Sequence, residues 1–410
     1  MKITRGAVIR RDQSSGVADA VTEILREVRT TGDRAVLRYT AEFDRAELRP
    51  EQLEVPAEEL DASVGVLEPG VLRGLRTAIA NVDAVVEAQL RDPVPVQLPQ
   101  GHTVQVSEMP VRRVGVYAPA GRAAYPSTVV MCAVTAKAAG VDQIAVCAPP
   151  GPGGRAHPVI LAACVLCGVT EVYRMGGAQA IAALAYGTES VRKVDVIVGP
   201  GNAYVQEAKR QVVGEVGIDG IAGPSELVVI ASEGADPELV ALDLMAQAEH
   251  GADSPVAVIS ADRALLDRIV TQVEQMAPER PSVAHAELQV AQVESPLAAL
   301  QMAEKVAPEH LQLVGAEAEA LADRVRAAGC LFVGNGAATA FGDYVAGSNH
   351  VLPTGGAARF QSALSAATFR RRMARVSLPD GAAARLAPAG AALARAEGFP
   401  VHAESMERRA

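Results

Sequence analysis

The chain has 410 residues, 49% hydrophobic and 21% charged, with a net charge of −10. That length suits two or three domains of about 150 residues each, and the acidic balance argues against a nucleic-acid binder, which needs a basic surface. Met1 to Arg11 is polar, so no secretory leader is read there, and stretches such as Ala156 to Thr170 fall short of the roughly 18 apolar residues a membrane span needs; a soluble cytoplasmic protein is expected.

Aromatic residues are scarce and Trp is absent, so cores must be built from Val, Leu, Ile and Ala. The first hundred residues read as helical. Val21, Ile24, Leu25 and Val28 recur at helical spacing and Gly32 breaks the run. A second helix passes through Val36, Leu37, Tyr39 and Thr40, and a third runs from about Pro69 to Leu90. From Val114 strands and helices alternate. Strands are predicted at 114–117, 143–148, 169–173 and 194–198, with helices from Ser127 to near Gly140, up to Gly168, and at 178–186. The alternation resumes after Gly223 with strands at 227–231, 256–259, 311–314 and 331–333 and helices at 237–250 and 262–276. Short buried strands separated by helices indicate parallel βαβ units. An Ala-rich helix at 382–396 ends at Gly398 as a C-terminal appendage.

Cys164 and Cys167 form a C-x-x-C. Their apolar helical context and the lack of a second pair favour buried core thiols over zinc or redox chemistry, in a reducing compartment. Arg370, Arg371, Arg372 and Arg375 read as a solvated helix face or a subunit contact.

Four clusters could carry chemistry. Gln247 and His250 sit three apart at the end of an amphipathic helix and so share a face, where an amide oxygen and an imidazole could meet one metal. Glu309 and His310 follow Pro308, which restrains the backbone before two adjacent acid/base groups. Asp343 and His350 lie in a glycine-flanked polar stretch read as a loop. Glu397 and His402 precede a charged tail. In addition, Gly176-Gly177-Ala178-Gln179 and Gly199-Pro200-Gly201-Asn202 each follow a strand and precede a helix, where phosphates bind in α/β sheets. Neither is the G-x-G-x-x-G fingerprint, so spacing alone does not establish dinucleotide binding. Gly223-Pro224-Ser225-Glu226 lacks the G-x-S-x-G elbow of a nucleophilic serine.

Each cluster is weak alone, but their order is specific. The chain reads GDRAVLRYTAEFD, VGVYAPAGRAAYPSTVVM, RMGGAQAIAALAYGT, VDVIVGPGNAYV, GPSEL, QAEHGADS, APEHL, GDYVAGSNHVLPT and EGFPVH. From about Gly32 to His402 this resembles histidinol dehydrogenase. The resemblance implies NAD-dependent four-electron oxidation of L-histidinol to L-histidine through a bound aldehyde, in the last steps of histidine biosynthesis, with two NAD⁺ and one zinc per subunit. It places zinc on Gln247, His250, Asp343 and His402, a nitrogen/oxygen set that suits Zn²⁺ and leaves Mn²⁺ and Co²⁺ open. It makes Glu309 and His310 the acid/base pair. Substrate contacts fall on Ser225, Gln247, His250, His310, Asp343, His350, Glu397 and His402, and NAD contacts on Tyr117, Gln179 and Asn202.

The implied fold is α/β, with two incomplete Rossmann-like domains and small N- and C-terminal helical extensions used in dimerisation. Residues 1–17 would be the N-terminal extension. Residues 18–116 with 226–375 would form the domain bearing metal and catalytic groups, 117–225 the NAD side, and 376–410 the appendage. In the implied homodimer, Glu397 and His402 complete the partner's active site. One departure is Pro119-Ala120-Gly121, where the family has a second glycine; it bears on NAD affinity and removes no ligand. The competing expectation is a paralogue that oxidises another small polar alcohol, such as a sulfonated diol.

Overall fold

A computed structural model describes residues 1–6, 16–120, 124–151 and 153–410. Gly121 of the departing turn and residues 7–15 of the expected N-terminal extension lie outside the described residues. The chain folds around two parallel sheets because its strand segments are apolar on both faces and need helices on each side.

The helices α1 (Ala18–Thr31), α2 (Asp33–Phe43), α3 (Ala57–Gly65) and α4 (Pro69–Glu87) come first among helices. β1 (Lys2–Arg5) precedes them, and β2 (Val94–Gln97), β3 (Thr103–Pro110) and β4 (Arg113–Tyr117) follow. Next come α5 (Pro126–Val129), a π turn over Val130–Val134 and α6 (Thr135–Ala138), one continuous rod, then β5 (Gln143–Cys147), α7 (Pro158–Leu166), β6 (Glu171–Tyr173), α8 (Gly177–Tyr186), β7 (Val196–Val198), α9 (Ala203–Val212) and β8 (Gly217–Ile218). The second half runs β9 (Leu227–Ala231), α10 (Pro237–Ala248), β10 (Val256–Ser260), α11 (Arg263–Met276), β11 (Glu287–Gln292), α12 (Pro296–Val306), β12 (His310–Val314), α13 (Ala316–Glu319), β13 (Cys330–Val333), α14 (Thr339–Tyr344), β14 (Arg370–Ser377), α15 (Ala382–Ala396) and α16 (Pro400–Glu407).

The five-stranded sheet has the order β6-β5-β4-β7-β8, and the six-stranded sheet β1-β11-β10-β9-β12-β13. All their pairings are parallel. Strand alternation divides each sheet between two cores. Val114, Val116, Val146 and Val198 enter one core with Cys164 and Cys167, while Tyr117, Cys147, Tyr173 and Ile197 enter the other. Both C-x-x-C thiols are thus core residues, and the five cysteines are all free. In the larger sheet Leu227, Val229 and Val258 face α10 and α11, whereas Val228, Ile230 and Leu311 face α12.

Three expectations need correction. The described N-terminal segment is a strand: β1 pairs with β11 and extends the larger sheet. The helices of residues 18–87 pack chiefly on those of the smaller sheet, and α4 also meets the later half of the chain, where Asn81 donates to the Val345 carbonyl (2.7 Å). α1 and α2 lie on α8, α3 on α7 and α4 on the π turn, so this helical layer covers the smaller sheet. The arginine run is not helical. It forms β14, antiparallel to β3 in a three-stranded sheet with β2. Asp343 is not in a loop but in the last turn of α14. No helix among the described residues is long and apolar enough to cross a membrane.

Candidate active site

The acid/base pair sits at the amino edge of the larger sheet. Glu309 immediately precedes β12 and Ser225-Glu226 immediately precede β9, and the two strands are paired from His310↔Leu227 onward. Ala307, fully buried at the C-terminus of α12, has φ +48°. This left-handed residue turns the chain through Pro308 into the pair, a strained backbone of the kind found where function demands it. Glu309 and His310 are both buried.

Their hydrogen bonds fix both side chains. Glu309 Oε2 accepts from the Ser225 hydroxyl and from the Glu226 N–H (2.9 Å). Ser225 in turn accepts from Gln247 Nε2 (2.8 Å), which leaves the Gln247 amide oxygen as the free ligand atom of that side chain. His310 Nδ1 lies 3.2 Å from the Glu226 carbonyl. Donation there places the proton on Nδ1 and leaves Nε2 as the basic nitrogen, 3.7 Å from Asp343 Oδ1. Burial pushes the Glu309 carboxyl up, opposed by the His310 charge and by the Ser225 and Glu226 hydrogen bonds.

Gln247 is buried in the last turn of α10; His250 lies two residues beyond its end and reaches solvent. The helix is shorter than expected, but the two residues still adjoin the cluster. Surrounding protein lowers the His250 pKa, Asp343 raises it and His310 lowers it further. The negative end of the α10 dipole points here, which favours a cation. His350 Nδ1 contacts the Asp343 carbonyl at 2.7 Å, and its Nε2 lies 3.4 Å from Thr128 Oγ1. Its neighbour Asn349 donates to the Met131 carbonyl (3.0 Å) within the π turn. This contact ties the Asp343–His350 segment to the smaller sheet's layer.

The second cluster lies at the carboxyl edge of the smaller sheet, beside the switch point between β4 and β7 where α/β sheets bind ligands. Tyr117 OH accepts from Gly177 N–H (3.1 Å). Asn202 caps α9, its Oδ1 accepting from Tyr204 N (3.1 Å) and Val205 N (3.2 Å). Gly199 (φ +113°) packs so closely that a Cβ would lie 2.2 Å from the Tyr117 carbonyl oxygen. Gln179 is 1% exposed, yet neither amide atom has a hydrogen-bond partner among the described residues. Such a buried orphan calls for an outside partner.

Glu397 and His402 are not brought to either cluster. They are exposed on the C-terminal hairpin, where α15 packs chiefly on α16. Among the described residues, no three His, Cys, Asp or Glu side chains of one chain gather closely enough to hold an ion. Sequence reasoning also missed Glu226, whose carbonyl sets the His310 tautomer; a buried acid beside Ser225 was the only signal.

The comparisons decide the family. The histidinol dehydrogenase family profile matches residues 9–410.

The chain belongs to the histidinol dehydrogenase family.

It is 42% identical to the histidinol dehydrogenase of Gluconobacter oxydans, over 98% of this chain and 94% of that one. Against the enzyme of a Synechococcus strain the identity is 43%, over 98% and 93%. The crystal structure of histidinol dehydrogenase from Elizabethkingia anophelis superposes with a TM-score of 0.94 at 31% identity, covering 100% of this chain and 98% of that one. The family's α/β fold is therefore this chain's fold, and the sequence blocks from Gly32 to His402 fall inside the matched span.

Proposed function

We infer that this protein oxidises L-histidinol to L-histidine through L-histidinaldehyde, using NAD⁺ as the acceptor of both hydrides. The observation that carries this reading is the hydrogen-bonded set Gln247–Ser225–Glu309 beside His310 and Asp343 in a chain of this family.

Two proton acceptors serve the two half-reactions. His310 Nε2 takes the hydroxyl proton of the alcohol as hydride leaves the carbinol carbon for NAD⁺, giving aldehyde and NADH. Glu309 then takes a proton from water, and the hydroxide oxygen bonds to the aldehyde carbon. His310, having shed its first proton, accepts one from the resulting diol as the second hydride leaves. The product is the carboxylate with a second NADH. Burial makes Glu309 a stronger base than an exposed carboxylate, suited to activating water.

The metal fits the donors present. Gln247 Oε1, His250 and Asp343 offer one oxygen of an amide, one imidazole and one carboxylate at the negative end of α10. His402 of the partner subunit would supply the fourth donor. A zinc ion there would anchor and polarise the substrate without taking electrons. Ser225 and His350 orient the substrate together with Glu397 of the partner subunit. The dinucleotide takes the crevice with Tyr117, Gln179 and Asn202, where the unpartnered Gln179 amide meets it. A homodimer also accounts for apolar surface left bare on one chain: Val94, Val96, Met373 and Val376 on the three-stranded sheet, and Leu393 and Val401 on the hairpin, are all exposed.

The test is NADH formation by the purified protein with L-histidinol, other amino alcohols and a sulfonated diol. Two NADH per histidine formed, abolished in His310→Ala with bound zinc retained, is the expected result. Turnover of the sulfonated diol alone would overturn the substrate assignment.

A further inference from the structure

The carboxyl edge of the smaller sheet holds a feature the cofactor residues above do not include. In dinucleotide-binding α/β folds, the strand after the phosphate-binding turn ends in a carboxylate that grips the ribose hydroxyls. Here β5, which follows β4 in the chain, leads into Ala148-Pro149-Pro150-Gly151, without an acid. A carboxylate reaches the same place from outside the sheet. Asp44, the C-terminal cap of α2, lies beside Gly176, where a Cβ would sit 2.7 Å from Pro149 Cγ and 3.3 Å from Asp44 Oδ1. The charge of Asp44 is also felt at Tyr117.

This corner is unusually short of partners. Asp44 Oδ2 is buried with no hydrogen-bond partner among the described residues, as are both amide atoms of Gln179 and, one turn earlier on α2, Thr40 Oγ1. Gln179 flanks the adjacent glycine: a Cβ on Gly177 would lie 2.7 Å from its Oε1. Arg45, directly after Asp44, is held at φ +55°, a left-handed conformation that costs a non-glycine residue energy. Acceptors and donors left bare around one Gly-Gly turn, beside a strained backbone, describe a site that awaits a polar ligand.

We propose that Asp44 is a cofactor-specificity residue whose carboxylate accepts hydrogen bonds from the ribose hydroxyls of an unphosphorylated dinucleotide and repels a 2′-phosphate. This rests on the cofactor site proposed above. Loss of a charge-assisted hydrogen bond of this kind lowers affinity about tenfold or more.

The experiment compares KM for NAD⁺, for NADP⁺ and for L-histidinol in the unaltered enzyme, Asp44→Asn and Gln179→Ala. In Asp44→Asn, KM for NAD⁺ should rise about tenfold and the preference over NADP⁺ should shrink, while KM for L-histidinol stays put. A general loss of structure would not produce that split. An unchanged KM for NAD⁺ in Asp44→Asn, with a raised one in Gln179→Ala, would overturn the role of Asp44 and leave the cofactor site standing. Unchanged values in both variants would remove the cofactor site itself and the inference with it. Equal use of NADP⁺ and NAD⁺ by the unaltered enzyme would overturn it without any variant.

Discussion

Lys209 and Asp219 form a buried ion pair that grips both backbone polar groups of one residue, Gly199. Lys209 Nζ donates to the Gly199 carbonyl (3.0 Å), and Asp219 Oδ2 accepts from the Gly199 N–H (2.7 Å). Lys209 is 1% exposed. Gln206, one turn earlier on α9, accepts from Ala222 N (2.8 Å) and places its amide nitrogen 3.4 Å from the Gly201 carbonyl. The buried side of α9 thus joins the Gly199–Asn202 turn to the segment leading to Ser225.

Breaking this pair from one side should be costly and selective. Lys209→Met leaves Asp219 buried and uncompensated, a loss of about 3–5 kcal/mol. Urea unfolding should show that loss. Kinetics should show a higher KM for NAD⁺ with KM for L-histidinol nearly unchanged, because the turn lines the proposed cofactor site. The double variant Lys209→Met/Asp219→Leu should recover much of the stability but not the KM for NAD⁺. Recovery of both would mean that the pair serves only the fold.

Ser225→Ala removes one of the hydrogen bonds that pull the Glu309 carboxyl down against burial. The Glu309 pKa should therefore rise. Since Glu309 must be ionised to take a proton from water, the acid limb of the pH–rate profile for L-histidinaldehyde oxidation should move to higher pH. Turnover on that acid limb should fall, with little change on the alkaline side. An acid limb that stays in place would show that Glu309 is not the base of the second half-reaction.

Asp44 gives a stability prediction of its own. Burial pushes its carboxyl from 3.8 up to about 6. A raised carboxyl pKa means the folded chain holds the proton more tightly than the unfolded chain. Above pH 6 the ionised group therefore destabilises the fold, by about 2–3 kcal/mol at 1.36 kcal/mol per pKa unit. As pH falls from 6 towards 4 that penalty disappears. Asp44→Asn should be more stable than the parent at pH 7.5, with the difference closing below pH 6, as read by urea unfolding followed by circular dichroism. A gap that does not change with pH would contradict the assignment. A destabilising carboxylate at the proposed cofactor site is the usual trade of stability for function.

Legibility in the sequence follows from how local each signal was. β9 and β10 are visible because both faces are buried, so each reads as an apolar run, and Leu311, Leu313 and Val314 mark β12 despite Gln312. β14, RRRMARVS, is exposed along almost its whole length, and nothing in its pattern marked a strand. β11, ELQVAQ, alternates, but its polar residues hid it among loops. Glu309 and His310 were visible as neighbours after a proline, and Gln247 with His250 by helical spacing. Asp44, Lys209 and Asp219 were not, because each owes its role to a contact made only by tertiary packing. The Asp343 segment has the sequence look of a loop because glycines flank a single short helical turn.

The exposed His402 gives the last prediction. If the C-terminal hairpin serves the neighbouring subunit, His310→Ala and His402→Ala chains should each be inactive alone. A mixed dimer has one damaged and one intact site: the body of the His402→Ala chain receives a normal tail from the His310→Ala chain. Random reassociation of equal amounts makes half the dimers mixed, each with one working site of two, so about a quarter of full activity should return. Coexpression, or joint refolding of the two variants, followed by NADH production from L-histidinol measures it. If the tail serves its own chain, every site in the mixture lacks one required histidine, and activity stays at the level of the separate variants.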